Sequence, residues 1–280
     1  MPELPRDVDE VVRRALAEDV GPSGDVTSLA AVPPGRRCRA RIEARAAGVV
    51  AGLAVAERVF REVDRTVAFT AQVEDGDVVR AGGVLAEVGG SARSVLAAER
   101  VALNFLGHLS GVASLTRRFV VACADTESTV LCTRKTLPGL RALQRYAVEC
   151  GGGRPHRFGL SDGILLKDNH VRLAGGVAEA VQRARARAPH PLRVEVEVET
   201  LEELQQAMDA GADAVLLDNA DVDIVKRAVK IVGDRVPLEV SGGVTLENVG
   251  AIAAAGRVLI SVGRITHSAA ALDVALEIES

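Results

Sequence analysis

RVEVEVETLEELQQAMDAGADAVLLDNADVDIVKRAVKIVGDRVPLEVSGG, residues 193–243, decides the fold class. RVEVEVE alternates apolar and acidic residues, as a strand with one polar face does. Thr200–Ala210 and Asp221–Val232 then space their apolar residues as amphipathic helices do, and AVLLDN (from Ala214) and PLEVSGG (from Pro237) are short apolar runs between them. The unit recurs about every 21 to 23 residues, the length of a strand, a loop and a helix. Further strand-like runs begin near Val130 (VLCTRK), Gly163 (GILLKDN) and Arg257 (RVLISVG). Alternating units of this kind form parallel strands joined by right-handed crossovers. No GxGxxG or Walker loop follows any of them, which disfavours a dinucleotide or ATP fold and favours a barrel-like sheet.

The first hundred residues have a different grammar, that of a small α+β unit. Val8–Asp19 has helical spacing and stops at Gly21-Pro22. Strand-like segments follow at Arg39–Ala46, Val49–Leu53 and Thr66–Val73, and Glu74–Gly90 reads as a hairpin punctuated by Asp75-Gly76 and Gly82-Gly83. Ala92–Val121 reads as one or two helices with Gly107 and Gly111 as weak points.

Composition narrows the function. The chain has 280 residues, 48% apolar, 26% charged and 2% aromatic, and a net charge of −4. So few aromatics disfavour base-stacking platforms, and the mild negative charge disfavours nucleic acid or a membrane surface as partner. The longest apolar run, Ala46–Ala56, is too short to span a bilayer, and no leader opens the sequence. Four cysteines without a CxxC pair read as reduced thiols of a cytoplasmic protein.

The chemistry collects at the carboxyl ends of the strands, where barrels of this type assemble their sites. In order these ends carry Thr133-Arg134-Lys135, Lys167-Asp168-Asn169, Glu197 with Glu199, Asp218-Asn219, Ser241-Gly242-Gly243 and Ser261-Val262-Gly263. The last two are small enough for backbone N–H groups to approach an anion such as phosphate. Between Arg134 and His170 seven Lys and Arg face three acids, a local excess of four positive charges that suits a polyanionic small substrate. Glu195, Glu197 and Glu199 share one strand face, so any that point inward need cations, a metal or sugar hydroxyls, with Lys135, Lys167 and Arg157 as partners. Plainer readings stand beside these: Arg134-Lys135 as a solvated pair, Glu195 and Glu199 as solvent-facing acids on an edge strand, His108 as structural and Tyr146 as helix packing. His156 and His170 match no metal-ligand spacing.

TRKTLPGLRALQRYAVECGGGRPHRFGLSDGILLKDNH, Thr133–His170, closely resembles the signature block of quinolinate phosphoribosyltransferases. AERVALNFLGHLSGVAS (Ala98–Ser114), VEVEVETLEEL (Val194–Leu204), LLDN (Leu216–Asn219), EVSGGV (Glu239–Val244) and SVGRITHS (Ser261–Ser268) fit in order, so the resemblance spans nearly the whole chain. It implies an α/β fold, an incomplete (β/α) TIM-like barrel at 111–265 with an N-terminal α+β open-sandwich domain at 1–110, joined by a C-terminal helix at 266–280. It implies transfer of phosphoribosyl from phosphoribosyl pyrophosphate to quinolinate with decarboxylation, giving nicotinate mononucleotide, pyrophosphate and carbon dioxide in NAD biosynthesis. It implies a homodimer, or a higher oligomer, with shared active sites to which Arg100 contributes across the interface.

By the same resemblance Arg134, His156 and Arg157 line the dicarboxylate pocket, with Thr133 beside them. Lys135 and Lys167 contact both substrates at the reacting centre. Glu197 and Asp218 hold ribose hydroxyls or the waters of magnesium, which no residue ligates directly. Ser241, Gly242, Gly243, Ser261, Val262 and Gly263 bind the 5-phosphate. Leu137, Arg154-Pro155 and Arg264-Ile265 depart from the family's pattern, and only Leu137 bears on the pocket.

Three other readings compete. A molybdenum-associated paralogue shares the architecture, but the intact set Arg100, Arg134, Lys135, His156 and Arg157 speaks for dicarboxylate recognition. Lys167 at a strand end could form a Schiff base. The DGDVVRAGGVLAEV segment resembles a carrier-domain hairpin, yet residues 1–134 contain no lysine to modify.

Overall fold

The alternating and apolar runs read from the sequence are strands in the computed structural model, which describes residues 2–279. In chain order these are β1 (Arg37–Ala44), β2 (Gly48–Val49), β3 (Ala68–Ala71), β4 (Val78–Val79), β5 (Val84–Ser91), β6 (Thr129–Leu131), β7 (Ile164–Leu166), β8 (Val194–Val198), β9 (Ala214–Asp218), β10 (Leu238–Ser241), β11 (Leu259–Ser261) and β12 (Val274–Ile278). Residues 118–135 and 153–264 form one compact unit, and residues 1–117, 136–152 and 265–280 form another.

The first of these holds a six-stranded parallel sheet in the order β6-β11-β10-β9-β8-β7. Among the described residues no ladder joins β7 back to β6, so the barrel is incomplete; Arg154 bridges Leu131 at the β6 edge instead. The two-residue period settles which way each side chain of β8 points. Val194, Val196 and Val198 are buried, while Glu195 and Glu197 take the opposite face and are partly accessible. The flanking helices begin where their caps stand. Thr200 accepts from the Glu203 N–H while the Glu203 carboxylate returns to the Thr200 N–H, and Asp221 accepts from the Ile224 N–H. Because all six strands run the same way, their carboxyl ends share one rim.

The second unit is built on an antiparallel sheet in the order β12-β1-β5-β3, with β2 and β4 paired separately. Asp75 is buried and fully employed: it accepts from the N–H of Gly52 (2.9 Å) and of Leu53 (3.1 Å), at the start of helix Leu53–Val63, and from the Tyr146 hydroxyl (2.6 Å). Tyr146 is thus a packed helix residue. His108 likewise serves the structure, with its Nε2 3.0 Å from the amide of the buried Gln144.

Four local expectations are corrected here. The Glu74–Gly90 segment is not a hairpin, because β4 pairs with β2 while β5 pairs with β1 and β3. The strand expected at Val49–Leu53 ends at Val49, and Leu53 opens a helix. Ala92–Ala122 is one helix, in which Gly107 and Gly111 are points of contact rather than weakness. A Cβ on Gly111 would lie 2.1 Å from the Ala270 carbonyl oxygen, and the Gly107 carbonyl accepts from the Leu272 N–H at 2.8 Å. Lastly, the helix expected at 266–280 is a short turn of helix, Arg264–His267, followed by β12, whose Ala275 and Glu277 pair with Glu43 and Arg41 of β1.

Candidate active site

At the rim of the parallel sheet lies a cavity of about 580 Å³, lined by Thr133, Arg134, Lys135, His156, Arg157, Leu165, Lys167, Glu197, Leu216, Asp218, Asn219, Glu239, Ser241, Gly242, Gly243 and Ser261. Twelve of these were expected from the sequence. Most converge because they end or follow a strand on the same rim, and His156 and Arg157 lie just beyond Arg154, which bridges Leu131 at the β6 edge. Three other expected residues are placed differently. Val262 is buried, and its N–H donates to the Leu131 carbonyl at 2.9 Å, so it extends the sheet rather than facing an anion. Gly263 follows it and is not among the lining residues. Arg100 belongs to the other unit, on helix Ala92–Ala122, with its side chain 64% exposed beside Glu99 at 3.8 Å.

The cations are held in position by the backbone. Thr133 Oγ1 accepts from the Lys135 N–H at 3.0 Å. The Arg157 guanidinium donates to the Gly163 carbonyl at 2.7 Å, while its Nε is buried with no hydrogen-bond partner. Burial, and then neighbouring Arg134, lower the proton affinity of Arg157, although a guanidinium stays charged at any ordinary pH. The neighbouring Arg134 and Arg157 guanidinium groups, with the Arg157 Nε–H buried and unsatisfied, make a place for an anion. Lys167 pairs with Glu197, and Glu197 Oε1 also lies 3.5 Å from the Asp168 N–H. His170 is engaged elsewhere, its Nδ1 accepting from the Lys167 N–H at 3.0 Å.

The acids divide into two groups. Burial first, and Glu197 second, hold the Asp218 carboxyl above its ordinary value, while Lys167 and Lys135 oppose them. Deeper in lie Glu195 and Glu239, whose carboxylates share the His156 imidazole: Nε2 is 3.2 Å from Glu239 and 3.8 Å from Glu195. Burial, reinforced by Glu239, pushes the Glu195 carboxyl up to about 7. The hydrogen bond to Glu239 raises the His156 ring above the usual imidazole value. On its other side, Nδ1 accepts from the Arg157 N–H at 2.7 Å, which favours the neutral tautomer protonated on Nε2. The ligand atoms of these three residues lie within 4.8 Å of one another. Histidine and two acids sharing protons account for that cluster without a further ion.

Glu239 and Asn219 line the cavity but were not among the expected site residues. A signal for Glu239 was present, since it is two residues from Ser241 and therefore shares its face of β10. Glu199, by contrast, is exposed, with its N–H bonded to Glu203, so the solvent-facing reading holds for it. The phosphate-loop candidates have the expected backbone: Gly242 and Gly243 sit at φ +79° and +60°, a region side chains disfavour.

Residues 112–277 match the model of the quinolinate phosphoribosyl transferase C-terminal domain, and residues 25–110 that of its N-terminal domain. The chain belongs to the quinolinate phosphoribosyl transferase family. A Bacillus subtilis protein named probable nicotinate-nucleotide pyrophosphorylase (carboxylating) is 43% identical, covering 96% of this chain and 92% of its own. A Nicotiana tabacum protein named quinolinate phosphoribosyltransferase (decarboxylating) 2b, mitochondrial, is 40% identical over 98% of this chain and 83% of its own. The solved nicotinate-nucleotide pyrophosphorylase from Francisella tularensis superposes with a TM-score of 0.94 at 40% identity, covering 99% of this chain and 98% of that one. Within this family, an incomplete parallel barrel and a separate antiparallel sheet are the expected parts. No helix among the described residues is long and apolar enough to cross a membrane.

Proposed function

We propose that the chain transfers phosphoribosyl from phosphoribosyl pyrophosphate to quinolinate with loss of carbon dioxide, giving nicotinate mononucleotide and pyrophosphate for NAD biosynthesis. One observation carries this reading. A single cavity gathers two arginines and a histidine, two lysines, three acids and a glycine loop, which include the groups needed for a dicarboxylate, a ribose and a phosphate.

In that arrangement Arg134, Arg157 and His156, with Thr133 beside them, hold the two carboxylates of quinolinate. Ser241, Gly242, Gly243 and the Ser261 hydroxyl take the 5-phosphate, and Gly263 follows in the same loop. Lys135 and Lys167 face the charge that collects as pyrophosphate leaves the anomeric carbon. Glu197 and Asp218 stabilise the positive charge that develops on the ribose ring. The pyridine nitrogen supplies its electron pair to the anomeric carbon and becomes cationic. That ring then accepts the electrons of the breaking bond to the 2-carboxylate, and the ring carbon takes up a proton after carbon dioxide departs. The chain's main task is positioning two anions that repel each other.

Magnesium, held through the substrate and its own waters, fits this site beside Glu197 and Asp218. They are hard oxygen donors, and the proton affinity of Asp218 is raised partly by Glu197, a repulsion that a cation relieves. When bound it neutralises charge on the leaving pyrophosphate. The reading also includes a homodimer in which Arg100 of the partner subunit completes each site. Four free thiols support a reducing, cytoplasmic setting.

The test is carbon dioxide release from quinolinate with phosphoribosyl pyrophosphate and magnesium, each omitted in turn. Release that needs all three, with nicotinate inert as a substitute, is expected. Folded protein that releases none overturns the assignment.

A further inference from the structure

Asn219 follows Asp218 at the end of β9 and has φ +53°, alone among the described non-glycine residues in taking a positive value. Asparagine tolerates this region better than most residues, but the conformation still has to be held by its surroundings. Three contacts hold it. Its N–H donates to the Ser241 carbonyl at 2.9 Å. Its side-chain amide donates to Asp218 Oδ2 at 2.7 Å. Its Oδ1 lies where a side chain on Gly242 would go, since a Cβ there would sit 2.4 Å away.

The turn itself asks only for a positive φ, which glycine would supply with no side chain. The bond to Asp218 is an addition that the turn does not require. Asn219 therefore touches two functional parts at once: the acid assigned to the ribose and the loop assigned to the 5-phosphate. We propose that Asn219 is a positioning residue that fixes Asp218 relative to the Ser241–Gly243 loop, and so selects a pentose carrying its 5-phosphate. This rests on the phosphoribosyl reading above. Asn219 acts through Asp218 and the loop.

The test is calorimetric binding of phosphoribosyl pyrophosphate with magnesium, with thermal unfolding and quinolinate affinity measured alongside. Asn219→Gly keeps the turn and removes the carboxamide. It is expected to unfold no lower than the wild type and to bind phosphoribosyl pyrophosphate about 10-fold more weakly or worse, as loss of a hydrogen bond to a charged group predicts. Quinolinate affinity should stay within about twofold, a split that a general loss of structure would not give. Asn219→Asp keeps the shape but sets a second carboxylate against Asp218, and should bind more weakly still. In an Asp218→Ala background, Asn219→Gly should add less than about twofold. Wild-type affinity in Asn219→Gly, or full additivity with Asp218→Ala, overturns the proposal. If Asn219→Gly unfolds early, Asn219→Asp decides in its place by the same affinity. Wild-type protein that fails to bind phosphoribosyl pyrophosphate sinks the functional reading itself, whereas wild-type binding with unaffected variants sinks only this proposal.

Discussion

Arg157 shows how one side chain can be both anchored and unsatisfied. One guanidinium nitrogen donates to the Gly163 carbonyl, while Nε is buried without a partner. A carboxylate arriving there gains charge-assisted hydrogen bonds worth about 1.5–3 kcal/mol. Arg157→Ala should therefore lower kcat/KM for quinolinate about 10- to 100-fold, with a smaller effect on KM for phosphoribosyl pyrophosphate. Lysine should not rescue it, because the fork is lost. Equal losses for both substrates would remove Arg157 from the dicarboxylate pocket. Glu195 carries a pH prediction. Its carboxyl ionises near the ordinary 4.5 in the unfolded chain but keeps its proton to about 7 in the fold. Its contribution to stability is therefore complete below the lower value and lost as pH rises through the upper one. Glu195→Gln is neutral at every pH, so its Tm should decline less than the wild type's between about pH 5 and about pH 8. Parallel declines would show that Glu195 does not govern that window.

At the scale of elements, the long helix Ala92–Ala122 and the strand β12 depend on each other through glycine. Gly111 leaves room for the backbone at Ala270, and the Gly107 carbonyl takes the Leu272 N–H. The following residues then pair with β1 as the fourth strand of the antiparallel sheet. Gly111→Ala raises helix propensity yet forces a methyl group into a backbone oxygen. The clash should win, costing about 1–3 kcal/mol and lowering Tm by several degrees. A raised Tm in that variant would mean the C-terminal strand does not dock there. The same pairing explains why Glu74–Gly90 misleads as an isolated segment. Its turn residues are those of a hairpin, but β4 and β5 find different partners elsewhere in the chain.

For the molecule as a whole, the proposed dimer makes a prediction that no single subunit can meet. If Arg100 serves the partner's barrel, Arg100→Ala and Lys167→Ala subunits are each inactive alone. Mixed and reassembled in equal amounts, they should recover about a quarter of wild-type activity, since half the dimers are hybrids with one intact site each. No recovery from hybrids that sediment as dimers would place Arg100 outside the site.

Local signals in the chain were enough to define the parallel half of this protein and most of its cavity. There the strand period, the helix caps and the residue after each strand are local, and parallel strands bring their ends together whatever lies between them. Most of the twelve expected residues in the cavity are there for that reason. Pairing between distant segments and the conformation of single residues depend instead on contacts made far along the chain. Leu272, Val274, Leu276 and Ile278 alternate as a strand does, but Ala, Leu and Glu are strong helix formers, and nothing local could choose between the two periods. The open edge of β1 made that choice. Glu239 and Asn219 entered the site in the same way, the one by facing inward beside Ser241 and the other by a backbone turn that its neighbours hold.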